Sequence, residues 1–486
     1  MHVVVVGGGV SGLGAALVLA RRGHEVTVVE RDDTPMPANA DEAFAWDRRG
    51  APQVRHSHAF LARLVGMLRC DYPDVYAALL REGATEMRFG DDMPAAITNF
   101  EPQPDDSELV MLACRRTTFE WVLRRAAIAE GAVTFRTGVG VNGLVVHKHL
   151  DGALPIPRIA GVRLADGSEI AADFTVVAAG RRSALSEWLA EFGAAPVPEE
   201  ADETGIVYLS RFYRLGEGQS PPPRSGPIGG DLGYLKYGVF VGDNRTFSVT
   251  LATPTADEEL RKLVSEPATF DACAQQLVAT EQWLDGRAAP ITDEVHLMAG
   301  LINRWRRHVV DGVPVATGVA AVGDAVICTN PLYGRGCCTA FWSAHLFADA
   351  LAAHADDPTA LQVSYDAALR DEILPWYKSS VDQDIEARRV AAALLAGDDP
   401  DGDPNDPRAF MRSVFRDGLL PAMRRDAVVS RAFFRTFNLL CAPDAMVKDQ
   451  DVFGRVLAVW QDRENREPEP LLGPATRAEL MSALGR

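Results

Sequence analysis

The sequence predicts an α/β protein in which a parallel-sheet domain is interleaved with an antiparallel β-sheet domain and followed by a helical C-terminal region. Three observations predict this architecture. A β-branched run at the N-terminus leads into a glycine-rich turn and a helical pattern, and alternating apolar stretches fill about residues 205–295. Helical spacing of apolar residues dominates after about residue 355. The length of 486 residues suggests roughly two to four structural units.

The N-terminal unit has the order strand, glycine-rich turn, helix, strand. Val3–Val6 is a continuous β-branched run, typical of a parallel strand buried on both faces. It leads directly into Gly7-Gly8-Gly9-Val10-Ser11-Gly12, then a helical segment and a second strand, Glu25–Glu30. This order predicts a Rossmann-like βαβ unit that binds a dinucleotide.

Each conspicuous residue of this unit has a physical role. Gly7 permits the tight turn, Gly9 lets the backbone approach a pyrophosphate, and Gly12 lets the helix pack close to the strand. The free N–H groups at the helix start then face the diphosphate. Glu30, at the end of the second strand, can accept hydrogen bonds from the ribose hydroxyls.

A second glycine pattern, Gly138-Val139-Gly140-Val141-Asn142-Gly143, lacks this context. The residues that follow, Leu144–His147, indicate a strand, so no helix terminus is available to hold a phosphate. We interpret the pattern as a turn between strands. This pattern was the one candidate for a second nucleotide site, so the sequence predicts no separate NAD(P)H domain.

Two distant segments complete the expected dinucleotide domain. Asp166-Gly167 indicates a hairpin, and Thr175–Ala178 is a further buried strand that Gly180 ends. A strand ending in Gly323-Asp324 offers a carboxylate to an extended ligand. The loop Asn330–Gly336 then opens a predicted helix whose amides can face a polar ring.

These motifs, with Pro52–Leu61 and Arg116–Leu123, resemble the FAD-dependent monooxygenase superfamily with the para-hydroxybenzoate hydroxylase fold, in its natural-product epoxidase and hydroxylase-like branch. The resemblance covers roughly residues 1–355. It implies that Arg55 and Arg116 contact FAD, that Asp324 holds the ribityl chain, and that the loop lies along the isoalloxazine ring.

The candidate residues are therefore the following. The expected cofactor-binding residues are Gly7, Gly9, Gly12, Glu30, Arg31, Arg55, Arg116, Gly180, Gly323, Asp324, Gly334, Gly336 and Cys337. No catalytic residue is assigned, and the flavin-proximal candidates are His58, Pro331 and Gly334. No metal site is expected, because two histidines two residues apart without a further ligand make a poor one.

The expected domains follow the same motifs. Residues 1–90, 110–204 and 296–355 form the Rossmann-like FAD-binding domain, 91–109 and 205–295 the antiparallel β-sheet substrate domain, and 356–486 the helical C-terminal region. That region should pack over the substrate sheet or form a dimer face. Its stripe Phe433, Phe434, Phe437 and Leu440 is interpreted as core, with a pocket wall as the alternative.

The resemblance implies a monooxygenase that uses O2, through a C4a-peroxyflavin, on a hydrophobic or aromatic small molecule in secondary metabolism. Ala179 stands where the aromatic hydroxylases usually carry aspartate, so the electron donor is either NAD(P)H or a separate flavin reductase. The main alternative is a flavin-dependent dehydrogenase or prenyl-type reductase. A halogenase is disfavoured because the sequence lacks the signature Trp-x-Trp-x-Ile-Pro. A non-enzymatic flavin-binding protein is also disfavoured, because it would need no elaborate substrate sheet.

Composition narrows the partners and the location. A formal net charge of −18 argues against nucleic acid. Seven scattered cysteines without a paired pattern suggest reduced thiols in a cytoplasmic protein. No apolar run reaches the roughly 18 residues that a membrane span needs. A monomer or a homodimer is expected.

Overall fold

A computed structural model describes residues 1–91, 93–147, 156–223, 228–403, 406–467 and 469–486. Its strands are β1 His2–Val6, β2 Glu25–Glu30, β3 Thr85–Arg88, β4 Val110–Ala113, β5 Val133–Thr137, β6 Val141–Val146, β7 Ile159–Leu164, β8 Glu169–Ala171, β9 Phe174–Val177, β10 Glu199–Glu203, β11 Ile206–Leu215, β12 Gly229–Asp231, β13 Lys236–Val241, β14 Thr246–Pro254, β15 Ala288–Pro290, β16 His296–Met298, β17 Ile302–Arg306, β18 Val309–Val310, β19 Val313–Pro314, β20 Val319–Ala321 and β21 Ile327–Cys328.

Its α-helices are α1 Val10–Arg21, α2 Ala40–Phe44, α3 Ala62–Asp71, α4 Pro73–Arg81, α5 Arg116–Ala129, α6 Leu185–Ala190, α7 Glu258–Val264, α8 Pro267–Ala274, α9 Val278–Leu284, α10 Gly336–Ala353, α11 Pro358–Glu372, α12 Leu374–Ala396, α13 Ala409–Ser413, α14 Leu420–Met423, α15 Ala427–Phe437, α16 Ala445–Lys448, α17 Gln450–Gln461 and α18 Arg477–Ala483. A π-helical turn, Val414–Leu419, joins α13 to α14.

The parallel sheet has the strand order β20-β9-β1-β2-β5. Strand β1 pairs in parallel with β2 on one side and β9 on the other, so it is central and its valines are buried on both faces. Helices α1, α5 and α10 pack together beside this sheet. The carboxyl ends of β1, β9 and β20 therefore meet at one edge, where ligands bind in sheets of this kind.

The two smaller sequence patterns are confirmed. The segment between Val133–Thr137 and Val141–Val146 is a turn between strands, so the glycine pattern there opens no helix. Asp166-Gly167 lies in the turn of the hairpin between β7 and β8, with Gly167 at φ +85°.

The antiparallel sheet has the order β12-β13-β14-β11-β15, and β16 also pairs with β11. One face packs on α7, α8, α9 and α18 through a second hydrophobic core that includes Leu209, Phe247 and Phe270. The opposite face lines a cavity. The expectation of a sheet with one face turned to a pocket is thus confirmed.

The C-terminal region is helical, as predicted, and it covers the cavity face of the antiparallel sheet through α12 and the residues around the π-helical turn. No helix within the described residues is both long and apolar enough to cross a bilayer. The interpretation of the phenylalanine stripe as core was wrong. Phe433 and Phe434 are only partly buried, and Phe437 is exposed and lines the cavity, because the buried side of α15 carries Ala427, Val429 and Ser430 instead.

Candidate cofactor site and substrate cavity

The glycine loop is held by backbone contacts that only glycine tolerates. Gly7 has φ +104° and its N–H donates to the carbonyl of Val29 at 2.8 Å. A Cβ atom on Gly12 would lie 1.8 Å from the carbonyl oxygen of Gly7. Since a side chain cannot occupy that space, Gly12 fixes the close contact between the loop and α1.

Gly9 is different, because it adjoins open space. It is the N-cap residue of α1, with ordinary extended backbone angles and no side-chain capping hydrogen bond. A Cβ atom on Gly9 would meet no atom of the described residues within 4 Å. The start of α1, with its free N–H groups, therefore adjoins open space.

Glu30 is tied to the glycine loop, where an arginine joins it. The N–H of Gly8 donates to Glu30 Oε2 at 2.8 Å. Arg48 Nη2 donates to the carbonyl of Gly8 at 3.1 Å and to Glu30 Oε2 at 3.2 Å, and it lies 2.9 Å from Glu120 Oε1. All three charged side chains are buried. The sequence analysis missed Arg48, which belongs to no recognised spacing.

A second cluster lies around Arg116, at the start of α5. Arg116 Nη2 donates to Glu120 Oε2 at 2.6 Å, and Nη1 lies 3.5 Å from Cys337 Sγ. His58 is close enough that Arg116, after burial, lowers the pKa of its imidazole to about 3. The cluster is continuous with the glycine loop, because Glu120 contacts both Arg116 and Arg48.

Asp324 lies beside this cluster, in the turn after β20. Burial raises the pKa of its carboxyl to about 6, while Arg181 and Arg116 oppose the rise. Gly323 has φ +58°, and a Cβ atom there would lie 2.3 Å from Ser11 Oγ of α1. The carboxylate of Asp324 receives no hydrogen bond from the part of the chain that the structure describes. It is thus a partly buried acceptor near the start of α1.

The loop before α10 forms the opposite wall. Pro331–Tyr333 is a short turn that ends at Gly334, with φ +66°. A Cβ atom on Gly334 would lie 3.0 Å from Cβ of Ala59, so loop and Ala59 are in contact. At Gly336, the first residue of α10, a Cβ atom would again meet nothing within 4 Å among the described residues. Like α1, α10 begins without a side-chain cap.

Two predicted residues lie apart from these clusters. Arg31 is exposed, and a Cβ atom on Gly50 would lie 3.3 Å from its Nε atom. Arg55 is near His296 of the antiparallel sheet, whose pKa burial and Arg55 both lower. Gly180, at φ +71° after β9, lies at the sheet edge beside Arg181. The structure thus brings together most of the predicted residues, and Arg48, which was not predicted, joins them at the glycine loop.

A cavity of about 1220 Å³ begins at this loop and extends between the antiparallel sheet and the C-terminal helices. Its wall includes Ala59 and Pro331–Gly334 at one end. The sheet contributes residues of β11, β13 and β14, and α12, the π-helical turn and Phe437 close the other side. Most of this wall is apolar, which suits a hydrophobic ligand much larger than a single ring.

A buried carboxylate connects the loop to the C-terminal region. Asp384 of α12 accepts hydrogen bonds from Asn330 Nδ2 at 2.7 Å and Tyr333 OH at 2.9 Å, both in the loop. Its other oxygen accepts from Asn303 Nδ2 at 2.7 Å. Burial raises the pKa of Asp384, and these three donors oppose the rise. No sequence motif pointed to this residue.

Comparisons with known proteins agree with this geometry. Residues 2–46 match the family described as pyridine nucleotide-disulphide oxidoreductase. The chain is 28% identical to Protein Rv3254 of Mycobacterium tuberculosis over 96% of each chain. It is 26% identical to kynurenine 3-monooxygenase of Salinispora arenicola over 76% of each chain.

Solved structures share the fold at low sequence identity. PqsL from Pseudomonas aeruginosa, a probable FAD-dependent monooxygenase, is 17% identical with a TM-score of 0.57 over 81% of this chain and 97% of PqsL. The flavin-dependent brominase Bmp2 is 16% identical with a TM-score of 0.55 over 96% and 98%. The predicted fold class and the resemblance to flavoprotein monooxygenases are confirmed, as are an oxidoreductase and FAD as its cofactor.

The charge on Asp324 should destabilise the flavin-free protein. Its folded-state pKa of about 6 lies above the ordinary 3.8, so the folded state loses stability as pH rises from about 4 to about 6. We expect Asp324→Asn to raise the free energy of unfolding by about 1–3 kcal/mol at pH 8 and by about half as much at pH 5. Urea denaturation of the flavin-free proteins at both pH values measures this. An equal effect at both would contradict it.

Proposed function

Because the chain has the fold of the FAD-dependent monooxygenases, we propose that it transfers one oxygen atom of O2 to a hydrophobic or aromatic small molecule, in secondary metabolism. One observation carries this proposal. The apolar cavity of about 1220 Å³ ends at the loop Pro331–Gly334, so a ligand in the cavity reaches the position where the resemblance puts the flavin ring.

The residues present fit four parts of FAD. The open space at Gly9 and the start of α1 suits the diphosphate, and Glu30 with Arg48 suits the adenosine ribose. Asp324, a partly buried acceptor without a partner among the described residues, suits a ribityl hydroxyl. The open space at Gly336 suits the polar edge of the ring. These roles are our proposal for the predicted cofactor residues.

When bound, FAD supplies the oxygen chemistry, and the protein has to orient the substrate and exclude water. The wall that β11, β13 and α12 form is mostly apolar, which suits both roles. His58 has a pKa of about 3 and stays neutral at pH 7. Arg116 beside it is charged, but Glu120 is its counter-ion at 2.6 Å, so this cluster adds no uncompensated positive charge.

Two alternatives make different predictions. A dehydrogenase or reductase would use the same cavity but pass electrons without oxygen insertion. The shared fold with a brominase at 16% identity is a likeness of fold alone, and the tryptophan signature of halogenases is missing from the sequence. The electron donor is either NAD(P)H or a separate reductase, since Ala179 replaces the usual aspartate.

Stopped-flow mixing of the photoreduced holoprotein with oxygenated buffer tests the proposal. We expect an absorbance transient that precedes return of the oxidised flavin spectrum, because an apolar site slows the loss of hydrogen peroxide. Monotonic reoxidation without a transient would contradict oxygen transfer and favour the dehydrogenase. Anaerobic mixing of the oxidised protein with NADH and NADPH identifies the donor, since only a direct donor bleaches the flavin without added reductase.

A further inference from the structure

The cavity face of the antiparallel sheet carries a polar strip within an apolar surface. Strands β11 and β14 are paired so that Ser210 lies opposite Thr250 and Phe212 opposite Ser248. Because alternate residues share a face, these four side chains lie on one face. Along the same face, Tyr208 precedes Ser210 and Ala252 follows Thr250. The three hydroxyl residues thus form a short interruption of an apolar wall.

Two residues of the segment before α3 extend this strip into a continuous chain of hydrogen bonds. His56 Nδ1 lies 3.2 Å from Ser210 Oγ, which lies 3.0 Å from Thr250 Oγ1. Ser57 Oγ lies 2.6 Å from Thr250 Oγ1 and 2.7 Å from Ser248 Oγ. Ser57 is partly exposed, whereas the other four are buried. Ser57 is therefore the member that a ligand in the cavity can reach most easily.

The number of protons in this chain of hydrogen bonds determines whether a bound ligand must donate or accept. Each hydroxyl has one proton and two acceptor lone pairs. The chain contains four hydrogen bonds and four hydroxyl protons. When His56 Nδ1 is an acceptor, all four protons are used within the chain, so a ligand must donate the hydrogen bond to it. When Nδ1 carries a proton, one hydroxyl proton is left over and the ligand can accept. Burial and the neighbouring His296 lower the pKa of His56 to about 4, so the imidazole is neutral at pH 7 and its tautomer decides whether Nδ1 donates or accepts.

We propose that the chain His56–Ser210–Thr250–Ser57–Ser248 is a substrate subsite that binds a hydroxyl or carbonyl group on a large, otherwise apolar molecule. This inference rests on the proposed function and adds the substrate class. The subsite adjoins the loop Asn330–Gly336, which we call the flavin loop, because Ser57 is two residues from Ala59, which touches Gly334. The apolar body of the substrate then extends along the sheet toward α12, against Phe240, Val390 and Leu394.

Two probes that differ only in one hydroxyl test the subsite. The holoprotein is titrated with 1-hydroxypyrene and with pyrene, and the two Kd values are read from the fluorescence of each probe. We expect 1-hydroxypyrene to bind about tenfold more tightly, because a buried polar site discriminates against a ligand that leaves it without a partner. Thr250→Val and Ser57→Ala should bring the ratio close to one, with the Kd of pyrene unchanged.

Thr253→Val is the matched control. Thr253 is on the same strand, its hydroxyl is buried, and it has no hydrogen-bond partner within the described residues. This variant should keep the wild-type ratio. Equal affinity of the wild type for both probes, binding of neither, or a ratio that Thr250→Val leaves unchanged would each overturn the inference. The oxygen measurement on substrate-free protein is independent of Thr250, so the proposed function could survive that result.

Discussion

Replacing Gly9 with leucine is expected to abolish retention of FAD and to leave the fold intact. The backbone of Gly9, with φ −81° and ψ −173°, suits any residue, and the space beyond it is open. A leucine side chain would fill the space through which a diphosphate approaches the start of α1. We expect the Kd for FAD to rise by about 100-fold or more, since several charge-assisted hydrogen bonds are lost together. Flavin absorbance after gel filtration measures retention.

Two other glycines serve as controls for this prediction. Gly66, in α3, also adjoins open space but lies outside the glycine loop, so Gly66→Leu should retain FAD. Gly12→Ala should fail to fold, because its Cβ atom would lie 1.8 Å from a backbone oxygen. A yellow Gly9→Leu protein with wild-type affinity for FAD would show that the diphosphate binds elsewhere.

Replacing Asp384 with leucine is expected to destabilise the protein by about 2–5 kcal/mol, because buried donors lose their acceptor. Asn303, Asn330 and Tyr333 all donate to this carboxylate, and two of them belong to the flavin loop. The loop should therefore shift, and the flavin absorbance bands should shift with it. Urea denaturation and the visible spectrum of the holoprotein measure the two effects.

Two further substitutions separate the loss of the acceptor from a general effect on α12. Asp384→Asn keeps one carbonyl oxygen as acceptor and the shape of the side chain, so it should lose less stability than leucine. Asp382, on the same helix, is exposed, and Asp382→Leu should change neither stability nor spectrum. A wild-type flavin spectrum in a destabilised Asp384→Leu protein would mean that the carboxylate supports the fold without positioning the loop.

The βαβ unit was predictable because its signals are local. The valine run, the three spaced glycines and the acidic strand end all lie within 30 residues, and backbone sterics alone dictate Gly7 and Gly12. The phenylalanine stripe of α15 was misread because helical spacing identifies a shared face but not what covers that face. In the fold that face carries Phe437 toward the cavity.

The residues of the candidate site were predictable only where a sequence motif follows a strand of the parallel sheet, at the edge where the strands end. Arg48 and Asp384 escaped notice because tertiary packing brings them to the site. Arg48 contacts Gly8, 40 residues away, and Asp384 contacts Asn330, 54 residues away. A lone arginine or aspartate on such a segment looks like an ordinary surface charge until burial shows otherwise. The cofactor roles and the domain boundaries stay predictions.

The two sides of the cavity come from separate parts of the chain. Substrate selectivity and cofactor binding can therefore change independently among related proteins. The proposed FAD contacts lie on the parallel sheet edge and α5, whereas α12 closes the far side of the cavity. On α12, Trp376, Ser380 and Asp384 are hydrogen-bonded to the loop Asn330–Gly336. Ala387, Val390 and Leu394, further along the same helix, line the cavity. Mutation of those three apolar positions could change substrate selectivity under natural selection while the redox centre is inherited unaltered.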